Sequence, residues 1–272
     1  MDRRQADTLQ TGRSLRQPPR PWMAAALAAL LWDVDGTLAE TELQGHRLAY
    51  NRAFRDQQLD WHWDEATYRR LLAVSGGRER LQAFGQERDT RLVAGDLEAL
   101  MTSKARHYRQ LVDDGGLTLR PGVARLLEEA AAAGLAQVIV TTSSRQAVEA
   151  LSQAVLGPLA HRFRFWVCGE DVPRKKPDPA GYRLALTQLG LEPSAALALE
   201  DSPQGLAASR GAGLACMLTL AACSEPHPLR WGQSAAAVVD GLGDGTEPVT
   251  VLQGPPCPTG RVDLAYLQGL KR

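Results

Sequence analysis

Asp33-Val34-Asp35-Gly36-Thr37 follows directly on the apolar run Met23–Trp32, and no other feature of the chain restricts its fold as strongly. A strand ending at Trp32 delivers two carboxylates, two residues apart, into the loop at its carboxyl end. Open α/β sheets bind their ligands there. Asp33 and Asp35 can share one cation and one substrate. Gly36 permits a tight bend, and the Thr37 hydroxyl can hold the loop. Taken alone, the pattern also fits a polar turn between a strand and a helix.

Three more polar signals follow apolar stretches. Ala136–Val140 reads as a short buried strand and leads into Thr141-Thr142-Ser143-Ser144. Lys175-Lys176-Pro177-Asp178-Pro179 lies in the loop after Phe163–Cys168. Ala196–Leu199 ends in Glu200-Asp201-Ser202-Pro203. Each has a plain structural alternative. The Thr/Ser run can cap a helix Gln146–Leu151, Lys176 can be a solvated surface lysine, and Glu200-Asp201-Ser202-Pro203 can be a helix N-cap. Four strand-end signals in series outweigh these alternatives.

The 272 residues can bury a sizeable core, and the apolar fraction of 44% is ordinary for a globular protein. Lys plus Arg equals Asp plus Glu at 31 each, which argues against nucleic acid as a partner. Any phosphate recognition must be local. None of Cys168, Cys216, Cys223 and Cys257 forms a C-x-x-C pair, so a zinc ribbon is not expected. Cys168 and Cys216 read as buried thiols.

The first 22 residues are Arg-rich and contain Pro18-Pro19-Arg20-Pro21. The apolar run after them is too short to span a membrane. Cleavage behind it would remove the first core strand, so secretion is not expected. Residues 1–26 are expected to be a disordered extension, with Met23 as an alternative start. A plastid transit peptide is a further alternative, which Asp2 and Asp7 weaken.

About a hundred residues separate Leu27–Trp32 from the next strand signal, far more than a βαβ crossover needs. The inserted stretch reads as helical. Thr41–Asp56 puts Leu43, Tyr50 and Phe54 on one face with His46 close to it. Asp64–Val74 and Asp96–Leu111 are helical by pattern, and Gly115-Gly116 breaks the chain. A helical unit is therefore expected at residues 42–114, inserted into a core formed by 27–41 and 115–240. Pro121 sits near the start of a helix Gly122–Ala133, which Gly134 ends. Strand, loop and helix then alternate through Gly213–Thr219, with Ala235–Val239 as the last strand. Residues 241–272 read as a tail, on the surface up to Pro258 and ending in a short docked helix at Val262–Leu270.

Together these motifs resemble the haloacid dehalogenase-like phosphatases, and within them the CbbY-type sugar-phosphate phosphatases, over roughly residues 27 to 225. Ala39-Glu40-Thr41-Glu42, Gly45-His46-Arg47, Gly76-Gly77-Arg78-Glu79-Arg80, Lys175-Lys176-Pro177 and Leu199-Glu200-Asp201-Ser202 carry the closer likeness. The resemblance implies an α/β fold with a Rossmann-like parallel sheet core and an inserted α-helical cap domain. One departure is Trp32, where the family usually carries Phe; packing rather than chemistry is expected to change.

The resemblance also implies roles. Asp33 would be the nucleophile and Asp35 the general acid/base, with Thr141 and Lys176 completing the catalytic set. Mg²⁺ would be held by Asp33, Asp201 and the Asp35 backbone carbonyl, with Glu200 binding through water or shaping the site. Thr141, the Thr142 backbone N–H and Ser143 would bind phosphoryl oxygens. In the cap, Glu42 and His46 lie one helical turn apart and would reach sugar hydroxyls. Gly77, Arg78 and Arg80 would face the active site, where Arg suits a second phosphate. The alternative for that segment is an ordinary helix start with solvated arginines.

The substrate implied is a small sugar phosphate, xylulose 1,5-bisphosphate, whose removal relieves Rubisco of an inhibitor. A β-phosphoglucomutase-like mutase, disfavoured by Thr37, and a broad monophosphatase are the alternatives. The protein is expected to be a monomer in the cytoplasm, or in the plastid stroma if the extension is a transit peptide. No nucleic acid or membrane partner is expected.

Overall fold

The computed structural model describes residues 26–271. The expectations for the N-terminal extension and the start at Met23 lie, but for residue 26, outside the described residues.

Six strands run parallel: β1 (Ala29–Trp32), β2 (Ala136–Val140), β3 (Phe165–Val167), β4 (Ala196–Glu200), β5 (Ala215–Thr219) and β6 (Ala237–Val239). A seventh, β7 (Val251–Gln253), pairs antiparallel with β6, and the sheet order is β3-β2-β1-β4-β5-β6-β7. β1 is apolar throughout because both its faces are covered. Leu30 and Trp32 pack into the core on one face, and Ala29 and Leu31 into that on the other.

Four helices form the cap: α1 (Leu48–Asp56), α2 (Glu65–Leu71), α3 (Gly77–Glu87) and α4 (Ala94–Asp113). A π-helical turn, Glu42–Arg47, leads into α1. The Asp64 side chain caps α2 by accepting from the Thr67 amide. The cap has its own aromatic core of Tyr50, Phe54, Trp61, Trp63, Tyr68 and Phe84. Asn51 secures it by exchanging two hydrogen bonds of 2.8 Å with the Trp63 backbone. The core helices follow: α5 (Val123–Ala132), α6 (Arg145–Leu151), α7 (Ala180–Leu189), α8 (Pro203–Gly211), α9 (Pro228–Trp231) and α10 (Leu264–Gly269). Cap and core also meet away from the connecting segments. Lys175 pairs with Glu79 at 2.8 Å, and Gln204 donates to the Ala73 carbonyl at 3.3 Å.

Two local findings extend the sequence reading. The stretch expected to run over the surface up to Pro258 instead supplies β7, so Ala237–Val239 is not the last strand. Behind β7, Val262, Leu264, Leu267 and Leu270 are buried in the core. Arg125 and Glu129 of α5 bind the Leu242, Gly243 and Val262 carbonyls and the Leu264 amide. Second, the fully buried Trp32 needs a partner for its indole N–H. It donates to Gln137 Oε1 at 3.2 Å, and Gln137 in turn donates to the Leu127 carbonyl at 2.9 Å.

The four cysteines are free, and Cys168 and Cys216 are fully buried. Burial pushes both thiols up to about 12. Among the described residues, no helix is long and apolar enough to cross a membrane.

Candidate active site

β1 is flanked by β2 and β3 on one side and by β4, β5 and β6 on the other, so the order of strands switches at β1 and a crevice opens at its carboxyl end. Asp33 stands there, anchored by its amide donating to the Leu199 carbonyl at 3.0 Å. The neighbouring strand ends bring Lys176, Glu200 and Asp201 to it. Lys176 Nζ donates to Asp33 Oδ1 at 2.5 Å and to the Val140 carbonyl at 2.8 Å, and lies 2.6 Å from Glu200 Oε1. The solvated-surface alternative for Lys176 does not hold, since it is only 9% exposed.

Asp33, Glu200 and Asp201 present carboxylate oxygens within 4.8 Å of one another. Three buried carboxylates around one ammonium leave an excess of negative charge. Burial, opposed by Lys176 and reinforced by Glu200 and Asp35, pushes Asp33 up to about 8. Asp201 is raised well above the usual carboxylate range by burial and by the Asp33 and Glu200 charges. Lys176 is raised because the attraction of Asp33 and Glu200 outweighs its burial. An all-oxygen, negatively charged, buried cluster suits a hard divalent cation. Gly36 lets the loop approach it: its φ is +82°, and a Cβ there would strike the Asp201 carboxylate.

Glu200 and Asp201 differ in role. Glu200 is fully buried, and its Oε1 receives Lys176 and the Tyr182 hydroxyl, while Oε2 has no hydrogen-bond partner. Asp201 lines the pocket. The helix-capping alternatives coexist with the site, since Ser202 caps α8 and Ser144 caps α6.

Asp35 is surrounded by donors. The Thr41 hydroxyl donates to Oδ1, the Ser143 hydroxyl donates to Oδ2 at 2.5 Å, and His46 Nε2 lies 2.9 Å from Oδ1. Burial works to raise the Asp35 pKa, but His46 and these hydrogen bonds outweigh it and hold the carboxyl well below its usual range. The two carboxyls are therefore shifted in opposite directions. The cause is local: Asp33 is crowded by carboxylates, whereas Asp35 is crowded by donors.

A pocket between core and cap joins these groups. It is lined on the core side by Asp33, Asp35, Thr142, Ser143, Lys176 and Asp201, and on the cap side by Glu42, His46, Gly77, Arg80 and Lys104. Thr141 is not among the lining residues; its hydroxyl accepts from the Ser143 amide at 3.1 Å and shapes the loop that presents Thr142 and Ser143. The structure also separates the two cap arginines. α3 begins at Gly77, so side chains two residues apart on it point about 200° apart and only one can face inward. Arg80 is the inward one, bound to Tyr68 Oη at 3.1 Å and to the Leu71 and Val74 carbonyls. Arg78 is exposed and pairs with Glu98 at 2.6 Å, away from the pocket. Tyr68 passes the chain on by donating to Glu42 at 2.5 Å.

Two residues escaped the sequence reading. Lys104 on α4 is buried, lies 2.8 Å from His46 Nδ1, and so stands behind the His46–Asp35 contact. Burial lowers its pKa to about 8, against the pull of Asp35 and Glu42. Tyr182 on α7 reaches Glu200 from beneath the site. The helical pattern of Asp96–Leu111 contained Lys104 but marked it no differently from the surface lysines.

The model of the haloacid dehalogenase-like hydrolases matches residues 27–213. The chain belongs to that family. Within it the likeness is to CbbY proteins. The plasmid-encoded Protein CbbY of Cupriavidus necator is 43% identical over 230 residues, covering 82% of this chain and 89% of that protein. A crystal structure of CbbY from Rhodobacter sphaeroides in complex with phosphate superposes with a TM-score of 0.70 at 40% identity, covering 74% of this chain and 89% of that one. A mutant of the same protein, crystallised with xylulose-(1,5)bisphosphate, has the same TM-score and identity over 73% and 88% of the two chains. As a haloacid dehalogenase-like hydrolase of the CbbY type, this protein is a phosphatase enzyme built on a parallel α/β core. The acidic strand-end cluster is where this hydrolase can hold the divalent metal its family generally uses.

Proposed function

We propose that the protein is a Mg²⁺-dependent phosphatase that hydrolyses xylulose 1,5-bisphosphate through an aspartyl-phosphate on Asp33, removing an inhibitor of Rubisco. The observation that carries this reading is the meeting of Asp33, Lys176, Glu200 and Asp201 beneath a pocket into which the cap directs His46, Arg80 and Lys104. The bisphosphate complex of the Rhodobacter sphaeroides relative supports the choice of substrate.

Asp33, Asp201 and the Asp35 carbonyl would hold Mg²⁺, which favours oxygen ligands. When bound, the ion screens the approach of an anionic nucleophile to an anionic phosphoryl group. Asp33 attacks phosphorus, the bond to the sugar oxygen breaks, and Asp35 gives that oxygen its proton. Water then attacks the aspartyl-phosphate, and Asp35 takes the proton back. A phosphoryl anion beside Asp35 raises its pKa, so Asp35 takes up from solvent, as substrate binds, the proton it then gives to the leaving oxygen. Lys176 neutralises charge between Asp33 and phosphate, Thr142 and Ser143 bind phosphoryl oxygens, and Arg80 with Lys104 faces the distal phosphate.

The test is phosphate release with Mg²⁺ across a sugar-phosphate panel that includes xylulose 1,5-bisphosphate and glucose 1-phosphate. Strong preference for the bisphosphate is expected. Broad monophosphate turnover would keep the chemistry and discard the substrate. Glucose-phosphate isomerisation after priming, with no release, would favour a mutase.

A further inference from the structure

We propose that Tyr182 is a positioning residue: its hydroxyl fixes Glu200 so that Glu200 holds the Lys176 ammonium on Asp33. The proposal rests on the reading of Asp33 as the nucleophile, and extends it to a residue of α7 that does not line the pocket.

Glu200 is a carboxylate with 0% exposure. A charge so placed persists only if its lone pairs are met by donors. Both of its partners reach the same oxygen, Oε1: Lys176 Nζ at 2.6 Å and the Tyr182 hydroxyl. Oε2 has none. Two contacts from the protein's own side chains therefore orient the carboxylate, one of them from Tyr182. Gly205 of α8 completes the seat from the other side, because a Cβ at that position would collide with the Glu200 carboxylate.

Lys176 is the member whose placement matters for chemistry. Besides Glu200 it touches Asp33 Oδ1 at 2.5 Å and the Val140 carbonyl at 2.8 Å. It also lies over the Tyr182 ring, 5.4 Å from the centroid. Tyr182 thus meets the lysine twice, directly through the ring face and indirectly through the hydroxyl and Glu200. The second route is the stronger restraint, being a hydrogen bond to a fully buried carboxylate that pairs with Lys176. Without it Glu200 can turn toward its unpartnered side, and the ammonium follows it away from Asp33. Tyr182 lies outside the pocket, and the pocket groups other than Lys176 keep their places, so the loss falls mainly on the chemical step.

The experiment compares wild type, Tyr182→Phe, Glu200→Gln and the double variant, measuring kcat, KM and Tm with xylulose 1,5-bisphosphate and Mg²⁺. Tyr182→Phe keeps the ring and removes only the hydroxyl. It is expected to lower kcat about tenfold, as for loss of one hydrogen bond to a charged group, with KM unchanged. In the Glu200→Gln background the same change is expected to alter kcat by less than about twofold, because the route through the carboxylate is already broken. A merely structural role would lower Tm and leave kcat intact, which would overturn the proposal. Multiplying effects in the double variant would overturn it too. If Tyr182→Phe fails to fold because Glu200 is left underpaired, the double variant against Glu200→Gln still decides: equal kcat supports the proposal, and a tenfold gap contradicts it. Inactivity of the wild type on every sugar phosphate would instead count against the assigned reaction.

Discussion

At the scale of single residues, the site is a set of buried charges whose environments set their protonation. Lys104 shows this most simply. Burial brings its pKa to about 8 from 10.5, with Asp35 and Glu42 opposing and Arg80 reinforcing the shift. The folded protein releases this proton near pH 8, whereas the unfolded chain keeps it to about pH 10.5. Between those values the unfolded state binds more protons, so stability from this group rises with pH and is lowest below pH 8. Lys104→Met is therefore expected to raise Tm relative to wild type at pH 7, by a few degrees, with the advantage shrinking as pH approaches 10. Thermal melts of both proteins across that range check the sign; an advantage that grows with pH contradicts it. The same substitution removes the group behind His46, so stability and activity are expected to move in opposite directions at this position.

At the scale of elements, helix phase decides which side chains reach the pocket. α3 turns Arg80 inward and Arg78 outward. Arg80→Lys is expected to lower kcat/KM for a sugar bisphosphate about tenfold more than for a monophosphate, through loss of the planar fork. Arg78→Ala is expected to leave both within about twofold, as for an exposed ion pair. Equal losses from Arg80→Lys on both substrates would remove it as a reader of the distal phosphate. The strand pair β1–β2 makes a second prediction. Gln137→Leu strands the Trp32 indole N–H in the core and is expected to cost about 1–3 kcal/mol in denaturant unfolding. These cases also show what was legible beforehand. The parallel core and its four loaded strand ends could be read from local motifs, because each motif sits beside its own strand. The inward arginine could not, since its direction depends on the residue at which α3 begins. Lys104 and Tyr182 carry no local motif and act only through contacts made by the tertiary fold. β7 is three residues long, too short for alternation to mark it.

At the scale of the molecule, the sheet gathers the candidate catalytic groups and the cap covers them. The C-terminal segment belongs to the same core, because β7 completes the sheet and α10 packs on α5. Each buried aliphatic side chain of that segment contributes roughly 1.5–3 kcal/mol. Deleting residues 241–272 is therefore expected to lower Tm by roughly 10 °C or more, at about 2–4 °C per kcal/mol. A truncated protein with unchanged Tm would show the segment to be dispensable. Asp33, where Lys176, Glu200 and Asp201 meet, is proposed as the nucleophile. The measurement that tests it most directly is mass spectrometry of acid-quenched protein during turnover of xylulose 1,5-bisphosphate. One added phosphoryl group on the peptide carrying Asp33, absent in Asp33→Asn, is the expected result. Turnover retained by Asp33→Asn, or a phosphoryl group on any other residue, would contradict the account.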